Sequence, residues 1–253
     1  MSADAMLARA RATFRAHERP RFVEYTIARR EFMYDIPDFE NTYSLRIWYR
    51  ATDRAALSRR LDRKRATGAL HFIHPAFNEA VDPGPPTADI FEPAPEPAGA
   101  TPEPAPSAPL RTIATIAIAG ELDYHARFAG IEEGAYHLEL TAYRDPERNR
   151  LRDIWIDPLT FETRRVRAND RLFLLPSGMW VPDLFDVYLE MKDGLPVIRR
   201  IESTTDVDSA AALHGPHFRA EYRFEDVVFP GLLPNWYFEP KTYRRHADEA
   251  PAG

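Results

Sequence analysis

The stretch from Tyr136 to Arg165 constrains this chain more than any other, because it spells strand, turn, strand, turn, strand in unbroken succession. Tyr136, Leu138 and Leu140 alternate with His137, Glu139 and Thr141, the two-residue period of a strand that buries one face. Arg144-Asp145-Pro146-Glu147-Arg148-Asn149 is a polar turn containing proline. The run Leu151 to Asp157 alternates again, and Asp157-Pro158-Leu159-Thr160 makes the next reversal. Antiparallel strands with one apolar and one charged face imply a sheet that curves around something. Function is therefore to be sought in the face the sheet covers.

The rest of the chain extends the same pattern. Ala3 to Glu18 reads as one helix, with Ser2 or Asp4 able to cap it and Met6, Leu7, Ala10 and Phe14 on one side. Strands are expected over Phe22 to Tyr34, Tyr43 to Arg50 and Ala55 to Leu61, then Leu110 to Ala119 and Leu122 to Ala129. Further strands are expected at 161–168, 171–176, 184–191, 195–203 and 218–229. Turns are expected at Asp35 to Asn41, Gly120-Glu121, Ile131 to Gly134, Asn169-Asp170, Ser177-Gly178 and Asp193-Gly194. The last is the strongest hairpin signal, since a tight primed turn needs positive φ at its centre. Ten or eleven strands make an antiparallel sheet too large to stay flat.

Asp82 to Pro109 interrupts the meander with ten of the chain's 23 prolines. From Glu92 on it holds too little apolar area to order itself, and it is read as a surface loop of one domain spanning 1–253. The tail at 234–246 is aromatic and is expected to pack back onto the sheet. A net charge of −6 argues against a nucleic-acid partner. No apolar run reaches transmembrane length. Of 33 basic residues only Lys64, Lys192 and Lys241 are lysine, a bias that with abundant Ala and Pro reflects genome composition. Cysteine is absent, which is compatible with either side of a membrane.

Chemical motifs are scarce. His71 and His74, and His214 and His217, have chelating spacing, but beside proline or glycine that spacing fixes no geometry. His125, His137 and Glu139 share a polar strand face and form a metal candidate, against the reading of a solvated outer face with no metal. Ser177 lacks the glycine-flanked elbow of a hydrolase. Asp153 and Asp157 flank Trp155 on one strand face, but an Asp before Pro more often caps its turn. No cofactor and no catalytic residue are assigned. Tyr25, Ile27, Leu45, Ile47, Tyr136, Leu138, Leu140, Trp155, Val187 and Leu189 remain as the apolar lining of a ligand-binding concave face.

The run from Tyr136 to Val166, with Ile154-Trp155-Ile156-Asp157 matching an LWxD core, resembles the periplasmic lipoprotein-carrier superfamily of LolA- and LolB-like proteins. The helix leading into a long strand resembles them too. The resemblance implies an incomplete antiparallel barrel that holds acyl chains in its concave face.

The expectation is a mainly β fold (α+β): an open, strongly curved antiparallel sheet or incomplete barrel with an N-terminal helix packed on it. The expected role is non-enzymatic binding of a lipid or other hydrophobic ligand by a monomer in the bacterial envelope. The alternatives are an envelope scaffolding module that binds another protein, and a metal-dependent hydrolase. Met1-Ser2-Ala3-Asp4 leads straight into the helical pattern, so no leader is read. Periplasmic or exported localisation is expected if a signal peptide has been removed, and cytoplasmic if the chain is complete.

Overall fold

The computed structural model describes residues 1–33, 40–64, 84–93, 123–174, 179–203, 218–239, 242 and 244–246. The strand expected over 110–119, the turns at 120–121 and 177–178, Ser177, most of the proline-rich stretch and all four chelate-spaced histidines lie outside the described residues. One helix, α1 (Ala3–Ala16), precedes strands β1 (Phe22–Met33), β2 (Glu40–Arg50) and β3 (Ala55–Lys64). After them come β4 (Tyr124–Glu132), β5 (Ala135–Ala142), β6 (Leu151–Ile156), β7 (Thr163–Leu174), β8 (Met179–Lys192), β9 (Leu195–Ser203) and β10 (Phe218–Val228). They form one open antiparallel sheet in the order β3-β2-β1-β10-β9-β8-β7-β6-β5-β4. The first strand pairs with the last, so the meander runs in two pieces joined at β1–β10. Among the described residues no helix is long and apolar enough to cross a membrane.

Contacts gather the chain into two compact units, Met1–Ala16 with Asp89–Asn169, and His17–Ala88 with Asp170–Gly253. In the first, Ser2 caps α1 by accepting from the Ala5 N–H at 3.2 Å. Leu7, Ala10 and Phe14 are its buried stripe. Phe14 meets Phe91 edge-on at 5.6 Å, and Arg15 pairs with Asp89 at 2.8 Å. Asp4 leaves the cap to Ser2 and instead accepts from the Ala126 N–H of β4 at 2.8 Å. Leu138, Ile154 and Val166 stand in register across β5, β6 and β7, each at most 1% exposed. Burying side chains of this size stabilises by roughly 1.5–3 kcal/mol apiece.

Two of the described hairpin turns have primed geometry. Glu133-Gly134 and Asp193-Gly194 both have positive φ at both centres, which is the primed geometry that matches strand twist. The expected reversal at Asn169-Asp170 does not occur, because β7 runs straight through it. There the Asn169 N–H donates to the Arg150 carbonyl at 2.9 Å. Its amide oxygen, turned toward Arg152, accepts from Nε at 2.9 Å and Nη2 at 2.7 Å. With backbone and side chain both satisfied inside the ladder, the turn preference of Asn is overridden.

The second unit covers one face of β1, β2 and β3 with the aromatic tail. Leu233 and Tyr237, from the segment around the short 3-10 helix Asn235–Phe238, cluster with Phe22, Trp48 and Leu57, and Trp236 and Phe238 pack against them. Tyr237 meets Trp48 edge-on at 5.7 Å. The tail does pack back onto the sheet.

Candidate functional site

Alternation in β1 sends Val23, Tyr25, Ile27 and Arg29 to one face and Glu24 and Thr26 to the other. Register completes the first face. Tyr25 lies opposite Ile47 and Ile27 opposite Leu45 on β2. On β10 the partners of Ile27 and Arg29 are Phe224 and Tyr222. Tyr222 then faces Ile201, Ile201 faces Val187, and Leu189 faces Ile198. Six expected lining residues, Tyr25, Ile27, Leu45, Ile47, Val187 and Leu189, therefore share one face of β2-β1-β10-β9-β8 in the second unit. Leu45 and Val187 are half-buried and the other four are buried.

A β-bulge shapes this face. Between Glu24↔Val228 and Thr26↔Glu225, β10 has one residue more than β1. Asp226 takes the left-handed conformation there, and its carboxylate accepts from Thr26 Oγ1 at 3.4 Å. The bulge leaves Tyr25 and Phe224 ring to ring at 5.9 Å.

Three polar side chains that sequence reasoning passed over belong to the same face. Arg29 is 1% exposed, with its guanidinium 5.1 Å from the Tyr222 ring. Asp183 and Ser203 are buried, and Ser203 Oγ donates to Asp183 Oδ2 at 2.6 Å. Their signal was present in the alternation, since Arg29 follows Tyr25 and Ile27 at even steps. The opposite face combines the Phe22–Trp48–Leu57 aromatic cluster with ion pairs: Arg46 binds Glu24 through Nε at 2.9 Å and Nη2 at 2.6 Å, and reaches Thr26 at 3.0 Å.

The other expected lining residues lie in the first unit. Tyr136 and Leu138 stand opposite Ile156 and Ile154, and Leu140 opposite Ala126, on that unit's apolar face. Trp155 is on the reverse side. It is 5% exposed, yet it pairs with His137 rather than Leu138. Its indole stacks on His137 at 4.4 Å, the Arg165 guanidinium sits 4.1 Å from its ring, and its Nε1–H donates to Glu132 at 2.9 Å. Asp153 completes the cluster, 2.9 Å from His137 Nε2.

The histidines proposed to share a metal are placed apart. His125 lies opposite Thr141 and stacks on Tyr143 at 4.7 Å, while Glu139 is ion-paired with Arg127. Among the described residues no three His, Cys, Asp or Glu side chains are grouped to hold a metal ion. Asp157 does what an Asp before Pro commonly does. Its Oδ1 accepts from the N–H groups of Thr160 at 2.9 Å and Leu159 at 2.8 Å, and Arg164 pairs with Oδ2. Those backbone bonds, with Arg164 beside them, pull its carboxyl down to about 2.

The chain is mainly β, with an open antiparallel sheet and one amino-terminal helix among the described residues. The chain is similar to a LolA superfamily protein from Nitrosomonas europaea, with 13% identity over 95% of this chain and 99% of that one and a TM-score of 0.38. It is also similar to a DUF1329 family protein from Desulfovibrio piger, with 11% identity over 94% and 98% of the two chains and a TM-score of 0.44. No family model matches the chain. No curated protein matches it either.

Proposed function

We propose that the face of β2-β1-β10-β9-β8 binds a hydrophobic ligand, a lipid or acyl chain, and that the protein carries it within the bacterial envelope without making or breaking a bond. One observation carries the reading. Five neighbouring strands align an apolar and aromatic face in register, mostly shielded from solvent and half-buried at Leu45 and Val187, interrupted by Arg29 and by the Asp183–Ser203 pair. A broad apolar wall with a few placed polar groups is the composition of a ligand site. An acyl chain would lie along Ile47, Tyr25, Phe224 and Val187, and Arg29 would orient a polar or anionic head.

Native mass spectrometry of the purified chain tests this first, and a co-purified lipid is the expected result. A fluorescent fatty-acid analogue should bind at micromolar concentration, about −8 kcal/mol. Val187→Glu, at a half-buried position, should weaken binding at least tenfold while the protein stays folded. Probe binding unchanged in that variant would place the ligand elsewhere, and no binding by the parent chain would remove the proposal.

A further inference from the structure

We propose that the outer edge of β4 pairs antiparallel with the same edge of a second copy of this chain, through residues 127–132, about a two-fold axis between Ala129 and Gly130. β4 ends the sheet order, so one side of its backbone has no strand partner among the described residues. Such an edge is a template for another strand. Asp4 already occupies the Ala126 N–H at 2.8 Å and so closes the first half of the edge to pairing. The stretch beyond it carries two exposed apolar side chains, Phe128 at 45% and Ile131 at 69%.

The register shift between Phe128 and Gly130 makes this stretch self-complementary. Residues three apart on a regular strand point to opposite faces. Here Phe128 lies opposite Leu138 and Ile131 opposite Tyr136, so the bulge returns both to the same face. By the same step Arg127, opposite Glu139, and Glu132, opposite Ala135, share the other face. In the proposed register Phe128 meets Ile131 of the second copy and Arg127 meets its Glu132, and symmetry makes each contact twice. Apolar groups meet on one side of the paired edge and opposite charges on the other. Arg127 is ion-paired with Glu139 of its own chain, but a guanidinium has five N–H donors and can serve a second carboxylate. At the axis, Ala129 and Gly130 are small enough for close approach, and Gly130 supplies the φ of +147° that the bulge requires. So short a pairing gives a concentration-dependent dimer, in contrast to the monomer expected from sequence. The proposal is independent of the ligand reading.

Sedimentation of the full chain from about 10 μM to about 1 mM, the range of a weak association, tests it. The average mass should climb from 29.0 kDa toward twice that value, and Ile131→Lys should stay at 29.0 kDa throughout. Arg127→Glu and Glu132→Arg should each be monomeric alone, since each sets like charges opposite one another. Mixed one to one they should dimerise, because each chain then meets its opposite. Glu132→Arg gives up the bond to Trp155, so the exposed Ile131 position carries the test should that chain fail to fold. A parent chain that stays at 29.0 kDa at every concentration, a dimer that survives Ile131→Lys, or a mixture of folded single variants that stays monomeric overturns the proposal.

Discussion

At Asp157 one carboxylate closes the turn between β6 and β7. It satisfies two backbone N–H groups and engages Arg164. Asp157→Ala removes all three contacts and should cost about 1–2 kcal/mol near neutral pH. The folded carboxyl titrates near 2, below its ordinary value of 3.8. Its contribution is therefore fully present above that ordinary value and is lost as pH falls through the folded value. Urea melts of parent and variant should differ at pH 6 and converge as pH falls toward 2; a gap that persists there would contradict the assignment. Trp155 presents a different case. Stacked on His137 and capped by Arg165, it should cost about 3–5 kcal/mol when replaced by Ala. A double-mutant cycle with Arg165→Ala should show coupling of about 0.5–2 kcal/mol from the lost cation–ring contact. Additive single effects would mean that the guanidinium only overlies the ring.

Elements were legible wherever short-range pattern governs them. The period-two run in β5, the Asp193-Gly194 hairpin, the Asp157 turn and the helix stripe of Leu7, Ala10 and Phe14 all stand where alternation and turn chemistry put them. Gly194→Ala should cost about 1–2 kcal/mol, read from the melting midpoint. The reason is backbone strain at φ +78°, since an added Cβ would meet nothing within 4 Å. Patterns misled where one residue served two uses. Asn169 signals a turn but is bound within β7 on both backbone and side chain. In β6 the consecutive residues Ile154, Trp155 and Ile156 are all buried, so alternation could not say which face an indole joins. Apolar character alone sets Trp155 with Leu138, whereas register sets it with His137 and Arg165. The aromatic tail was legible as something that must be covered, and its target, Phe22 with Trp48 and Leu57, was not. Tyr237→Ala should cost about 3–5 kcal/mol, the range for a large buried aromatic, and melting would reveal it. A variant melting like the parent would show that the tail adds no stability.

For the molecule as a whole, the pairing no local pattern announces is β1 with β10. Six of the ten expected lining residues share a face because of it, since it sets Tyr25 and Ile27 of β1 beside Phe224 of β10 and so in line with Val187 and Leu189. The bond from Thr26 to Asp226 spans 200 positions of sequence. The turn at Asp193-Gly194 closes over two residues. Closing the longer loop costs about 3–4 kcal/mol more chain entropy than closing a tight hairpin, by the logarithmic dependence on length. The β8–β9 hairpin should therefore form early on the folding path and the β1–β10 seam late. Stopped-flow refolding distinguishes the two: Val197→Ala should slow folding, while Ile27→Val should mainly speed unfolding. The reverse assignment would mean that the chain ends meet first. With the seam forming last, the face shared by β2, β1, β10, β9 and β8 stays in two unjoined pieces until β10 has been synthesised, so a nascent chain must keep two half-faces from sticking to anything else until residue 228 has been made.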